Sequence, residues 1–100
     1  MPKTILVVDD DEEIVKLITK SLRYEQFAVI TASSGKEALS AVDDHHIDFI
    51  VLDIVMPDMS GLDVCRTIRS SYNVPILLLS ARDQDIDKIV GLETFAYTHL

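Results

Sequence analysis

Four short runs rich in β-branched and aliphatic residues, at 4–8, 27–31, 49–52 and 76–79, alternate with stretches whose apolar residues recur at a helical period. That alternation is the pattern of βαβ units around a parallel sheet, and continuous apolarity marks the strands as buried on both faces. The expected fold is α/β, a doubly wound parallel sheet. Right-handed crossovers would put helices on both faces and every strand's carboxyl end on one rim. With 100 residues and 48% hydrophobic content, the chain reads as a single domain over 1–100, with ample core but little excess stability.

The intervening stretches carry their own signals. Ile14, Leu17, Ile18 and Leu22 form one stripe of a first helix, with Glu12 and Glu13 near its positive end. Ser34 and Glu37 have capping-box spacing ahead of a second helix whose stripe is Ala38, Leu39 and Val42, ending around residues 43–46. Val64, Cys65 and Ile68 would point inward from a third, and Asp83 would open a fourth bearing Ile86, Ile89 and Val90. Between Asp53 and Leu62 the chain cannot stay regular, because Pro57 lacks a donor and Gly61 permits unusual backbone angles. A loop is expected directly after Asp53.

Charge and cysteine usage exclude several classes. Nine basic against seventeen acidic residues give a net charge of −8, which disfavours nucleic acid and anionic membrane surfaces as direct partners. The sole cysteine, Cys65, has no intramolecular partner, and neither a leader nor an eighteen-residue apolar stretch is visible, so a cytoplasmic location is expected. Cys65 sits on an apolar stripe and reads as core. His45 and His46 read as a solvated helix end and not a zinc site, and Asp58 as a plain loop residue.

The acidic residues fall where chemistry is expected. Asp9 and Asp10 close the first apolar run and Asp53 closes the third. If both runs are parallel strands, their carboxyl ends meet at a topological switch point, where open α/β sheets bind ligands. Three carboxylates so close repel one another, and a divalent cation relieves them; magnesium is the expected one. Taken alone, Asp9-Asp10 reads more readily as a helix N-cap than as a metal site, and Ser80 has the alternative reading of a cap of the following segment.

Three segments, Ile-Leu-Val-Val-Asp-Asp-Asp at 5–11, Val-Leu-Asp-Ile-Val-Met-Pro-Asp-Met-Ser-Gly at 51–61 and Pro-Ile-Leu-Leu-Leu-Ser-Ala at 75–81, closely resemble the CheY-like receiver domains of bacterial two-component response regulators. The resemblance runs from Lys3 to about Glu93, and in style is nearest to receivers of winged-helix (OmpR/PhoB-type) transcription regulators. It implies a flavodoxin-like sheet of order 2-1-3-4-5. It implies Mg2+ held directly by Asp10 and Asp53, through water by Asp9, and by the backbone carbonyl of Val55. It further implies that Asp53 accepts a phosphoryl group from a sensor histidine kinase, that the Ser80 hydroxyl then swings towards the new phosphate, and that Ala81 leaves room for it. Such a chain is a phosphoacceptor and not an enzyme, with at most slow self-dephosphorylation. Val55 stands where acyl-phosphate phosphohydrolases usually carry a second aspartate, and Val55 and Arg82 would flank a long-lived adduct.

After Glu93 the chain departs from the family style, reading Thr-Phe-Ala-Tyr-Thr-His-Leu to residue 100. The family's lysine has no counterpart, His99 takes the place of its aromatic switch residue, and Tyr97 has no assigned role. The fifth strand is expected to be incomplete and the fifth helix and output domain absent, leaving a sheet edge and an apolar face to be covered by a homodimer or segment-exchanged dimer. A phosphorylation-independent dimerisation or interaction fragment is the alternative function.

Overall fold

In the computed structural model, residues 2–79 are described. The readings made for Ser80, Ala81, Arg82, Tyr97 and His99, for the helix from Asp83 and for the fifth strand lie outside these residues. The elements run β1 (Thr4–Val8), α1 (Glu12–Tyr24), β2 (Ala28–Ala32), α2 (Gly35–Asp44), β3 (Phe49–Asp53), α3 (Gly61–Arg69) and β4 (Ile76–Leu79). The four strands form one parallel sheet of order β2-β1-β3-β4, with β1 and β3 central. Strand boundaries differ from the sequence reading only by one residue at each end of β2 and at the end of β3, which takes in Asp53 itself.

Side chains alternate across the pleat, so each central strand feeds two cores. Leu6, Val8, Ile50 and Leu52 face α2 and α3, where they join Ala38, Val42, Val64, Cys65 and Ile68 in the larger cluster. Ile5, Val7 and Val51 face the other way, against Val15, Ile18 and Leu22 of α1. Helices thus cover both faces, as a doubly wound sheet requires. Cys65 is buried in the core.

The α1 stripe needs one correction. Leu17 is 67% exposed, and Val15 takes the inward place with Ile18 and Leu22. Residues 15, 18 and 22 share a face at spacings of three and four, whereas 17 lies off it, so the sequence reading drew its stripe slightly rotated. The helix ends in a left-handed turn at Gln26 (φ 71°), closed by Gln26 N–H to Arg23 O at 2.9 Å and Phe27 N–H to Leu22 O at 3.1 Å. In α2, Ser34 caps as expected by accepting the Glu37 N–H at 3.1 Å, but the Glu37 carboxylate reaches back to Ser33, accepting its N–H and its hydroxyl. His45 caps the other end of α2, and His46 is solvent-facing.

Candidate functional site

Register sets the site. Val8 of β1 lies opposite Ala32 on one side and Leu52 on the other, so the residues one step further, Asp9 and Asp53, emerge side by side at the carboxyl ends of the central strands. Asp9, Asp10 and Asp53 each present a carboxylate oxygen, and these oxygens lie within 4.8 Å of one another. The cluster could hold a metal ion: hard oxygen donors, anionic and converging, suit a hard divalent cation.

Each acid has a different setting. Asp9 is 5% exposed; its own N–H donates to Ala32 O at 3.1 Å, and its Oδ1 accepts the Asp11 N–H at 2.9 Å. Burial is the main reason its carboxyl is pushed above the ordinary carboxylate range; the Asp11 N–H pulls the other way, and the charges of Asp10 and Asp11 raise it further. Asp53 is half-buried and is pushed up to about 6, first by burial and then by the neighbouring charge of Asp9, against a lowering contribution from the Val55 N–H, which donates to its Oδ1 at 3.3 Å. A carboxylate raised by desolvation and like charge is one that a cation stabilises most. Asp10 is exposed at the mouth of the cluster.

The helix cap belongs to neither member of the Asp9-Asp10 pair. Asp11 caps α1, its Oδ1 accepting the Glu13 and Ile14 N–H groups at 3.0 and 3.4 Å. That leaves Asp9 and Asp10 free of helix-capping duty.

The loop after Asp53 is closed from both ends. Ile54 N–H donates to Leu79 O at 3.0 Å, and Gly61 N–H donates to Ile54 O at 2.7 Å, so α3 begins almost in contact with the end of β3. A Cβ at Gly61 would lie 2.1 Å from the Asp53 carbonyl oxygen. Close approach, not an unusual backbone angle, is therefore what requires glycine here, since no described glycine has positive φ. Ser60 caps α3 by accepting the Leu62 N–H at 3.1 Å.

Asp58 is more than a loop residue. Its Oδ1 accepts the Gly35 N–H and its Oδ2 the Lys36 N–H, both at 3.0 Å, so a residue of the β3–α3 loop caps α2 from a distance of over twenty residues in sequence. These bonds hold its carboxyl below the ordinary range. A local motif search sees Ser34 and Glu37 and misses Asp58, because a long-range cap leaves no spacing signature. Asp48 was missed for the same reason: it ties β3 to β1 by accepting the Thr4 N–H at 2.7 Å.

Comparison with known proteins agrees with this architecture. The family described as response regulator receiver domain matches residues 5–100. The alkaline phosphatase synthesis transcriptional regulatory protein PhoP of Bacillus subtilis is 46% identical over 94 residues, which are 93% of this chain and 39% of that protein. The DNA-binding response regulator MtrA of Mycolicibacterium smegmatis is 41% identical over 96 residues, 96% of this chain and 42% of that protein. The chain thus spans about two-fifths of the length of these relatives. Among solved structures, the response regulator TrrA of Thermotoga maritima in complex with Mg2+-BeF matches with a TM-score of 0.76 at 40% identity, covering 82% of this chain and 72% of that one. TrrA in complex with the histidine kinase ThkA matches with a TM-score of 0.75 at 41% identity, covering 79% and 69%.

Proposed function

This chain belongs to the response regulator receiver domain family, and on that premise we propose that it accepts a phosphoryl group on Asp53 from a sensor histidine kinase in a magnesium-dependent reaction. The observation that carries the proposal is the convergence of Asp9, Asp10 and Asp53 at the ends of adjacent central strands, with oxygens within 4.8 Å. TrrA, a relative of the same fold, has been captured with Mg2+-BeF and with a histidine kinase.

Asp53 supplies the nucleophile. One carboxylate oxygen forms a bond to phosphorus as the bond from phosphorus to the donor's histidine nitrogen breaks, leaving an acyl phosphate on Asp53. The Val55 N–H on Oδ1 orients the carboxylate. Asp10 and Asp53 would bind the cation directly, Asp9 through water, and the Val55 carbonyl would complete the protein donors. When bound, magnesium offsets the negative charge that the acids and the phosphoryl group bring together. With the acceptor pushed up to about 6, most of it is ionised near neutral pH and ready to attack. Ser80 follows the new phosphate, and Val55, which is no acid, gives water no base, so the adduct is expected to be long-lived and any self-dephosphorylation slow. Such a receiver works in the cytoplasm and controls transcription through an attached effector; among the described residues no helix is long and apolar enough to cross a membrane.

Intact-mass spectrometry after incubation with a small phosphodonor tests this directly. A single added phosphoryl group that requires both Mg2+ and Asp53, and is lost in Asp53→Ala, is the expected result. No addition to folded wild-type protein would overturn it.

A further inference from the structure

Asp58 ties the loop that follows the acceptor strand to the start of α2 by hydrogen bonds. It sits in the loop that leaves Asp53, three residues past Val55 and three before Gly61, and its two carboxylate oxygens take the first free N–H groups of α2, at Gly35 and Lys36, each at 3.0 Å. Met59 beside it packs so closely on Gly35 that a Cβ there would lie 2.3 Å from Met59 Cγ. At its far end the loop is fixed by Gly61 N–H to Ile54 O. The segment 54–60 is therefore closed on itself at its ends, anchored to β4 by Ile54 N–H to Leu79 O, and docked on the N-terminus of α2 through Asp58. Val55, whose N–H holds the acceptor's carboxylate, lies between the first of these ties and the last.

α2 already has a cap of its own. Ser34 accepts the Glu37 N–H, and a second cap from twenty-odd residues away is not needed to start a helix. What it adds is a tie from the loop to α2. We infer that Asp58 is a positioning residue for the cation and phosphoryl site: by docking the 54–60 loop on the N-terminus of α2 it fixes the backbone at Val55 relative to Asp53. This rests on the functional reading above. A residue that orients metal donors from outside the coordination sphere typically changes affinity by about 10–100-fold when lost.

The comparison of Asp58→Ala with Ser34→Ala separates positioning from capping, since both remove a cap from the same helix but only the first frees the loop. Two readouts are taken on each folded variant and on wild type: Mg2+ affinity by calorimetry, and amide hydrogen exchange in the metal-free protein. Asp58→Ala is expected to weaken Mg2+ by about tenfold and to speed exchange at Gly61 as well as at Gly35 and Lys36. Ser34→Ala should leave Mg2+ affinity and the Gly61 amide unchanged. Asp58→Asn keeps an acceptor oxygen, is the safer variant should alanine fail to fold, and should fall between wild type and Asp58→Ala. Equal Mg2+ affinity in wild type, Asp58→Asn and Asp58→Ala, or an equal loss in Ser34→Ala, would overturn the positioning role while leaving the metal site intact. Wild-type protein that binds no Mg2+ would overturn the functional reading and this inference with it.

Discussion

Replacing Gly61 by alanine should damage both the fold and the acceptor through one contact. The added Cβ would stand 2.1 Å from the Asp53 carbonyl oxygen, 2.7 Å from Ile54 Cα and 2.9 Å from the Asp53 carbonyl carbon, all backbone atoms that cannot rotate away. Ordinary contact begins near 3.4 Å, so the start of α3 and the end of β3 have to part by more than an ångström. That separation breaks or stretches the 2.7 Å bond from Gly61 N–H to Ile54 O. Overpacking of this kind costs about 1–3 kcal/mol and the lost hydrogen bond about 1 more. For a domain of this size the sum lowers Tm by on the order of 10–20 °C. Because the displaced backbone is Asp53's own, phosphoryl transfer should slow by about a hundredfold, the effect of an ångström's misplacement on a reaction that depends on alignment. Circular dichroism melts and the rate of mass gain with a small phosphodonor measure the two effects. Gly35→Ala is the comparison for stability, because its obstacles are the side chains of Met59 and Val64 and not backbone; a methionine can rotate aside, so its loss in Tm should be the smaller. Gly61→Ala that melts within a degree or two of wild type and labels at the wild-type rate would refute the close-approach argument.

Gln26→Gly should stabilise the chain by about 0.5–1 kcal/mol, since it removes the penalty of a left-handed side-chain residue at the end of α1, part of which glycine's unfolded-state entropy takes back; an unchanged or lower denaturation midpoint would count against it. Among the described residues the buried Thr19 hydroxyl has no hydrogen-bond partner, so Thr19→Val is expected to leave stability equal or higher, and a clear loss in a urea melt would count against that expectation. Asp58 has a depressed carboxyl, and its contribution is fully present above the unfolded carboxylate value near about 4 and lost as pH falls through the lower folded value. Asp58→Asn should therefore flatten the acid limb of the stability profile below about pH 4, and an unaltered limb would contradict the cap. Asp53→Asn removes a half-buried charge held beside Asp9 and should raise the thermal stability of metal-free protein at neutral pH, while abolishing the Mg2+-dependent gain in mass; a drop in stability would show that the cluster is not repulsive.

The strands and the acidic rim were legible in the sequence because they rest on local signals. Continuous apolar runs ending in Asp9 and Asp53 announce both the strand and the place where it stops, and parallel pairing of the two then brings the acids together without further information. What was missed depends on partners distant in sequence. Asp58 and Asp48 look like ordinary loop acids until the fold supplies the N–H groups of Gly35, Lys36 and Thr4. Gly61 could be recognised as special but not for the right reason: a single glycine code letter reports the missing Cβ without saying whether a backbone angle or a neighbour forbids it. Leu17 was misplaced because Ile14, Val15, Leu17 and Ile18 are all apolar, so composition alone does not choose between a stripe through 17 and one through 15; packing against the sheet does.

The pairing of Val8 with both Ala32 and Leu52 also sets what kinds of genetic change this fold can absorb. A substitution within β1 alters one side chain, but the gain or loss of a single codon there would exchange the residues facing the two cores and move Asp9 out of line with Asp53 at the same stroke. Length variation should accordingly collect in turns such as residues 45–48 and 70–75, at the opposite rim of the sheet, where an extra residue leaves the alignment of the acids untouched.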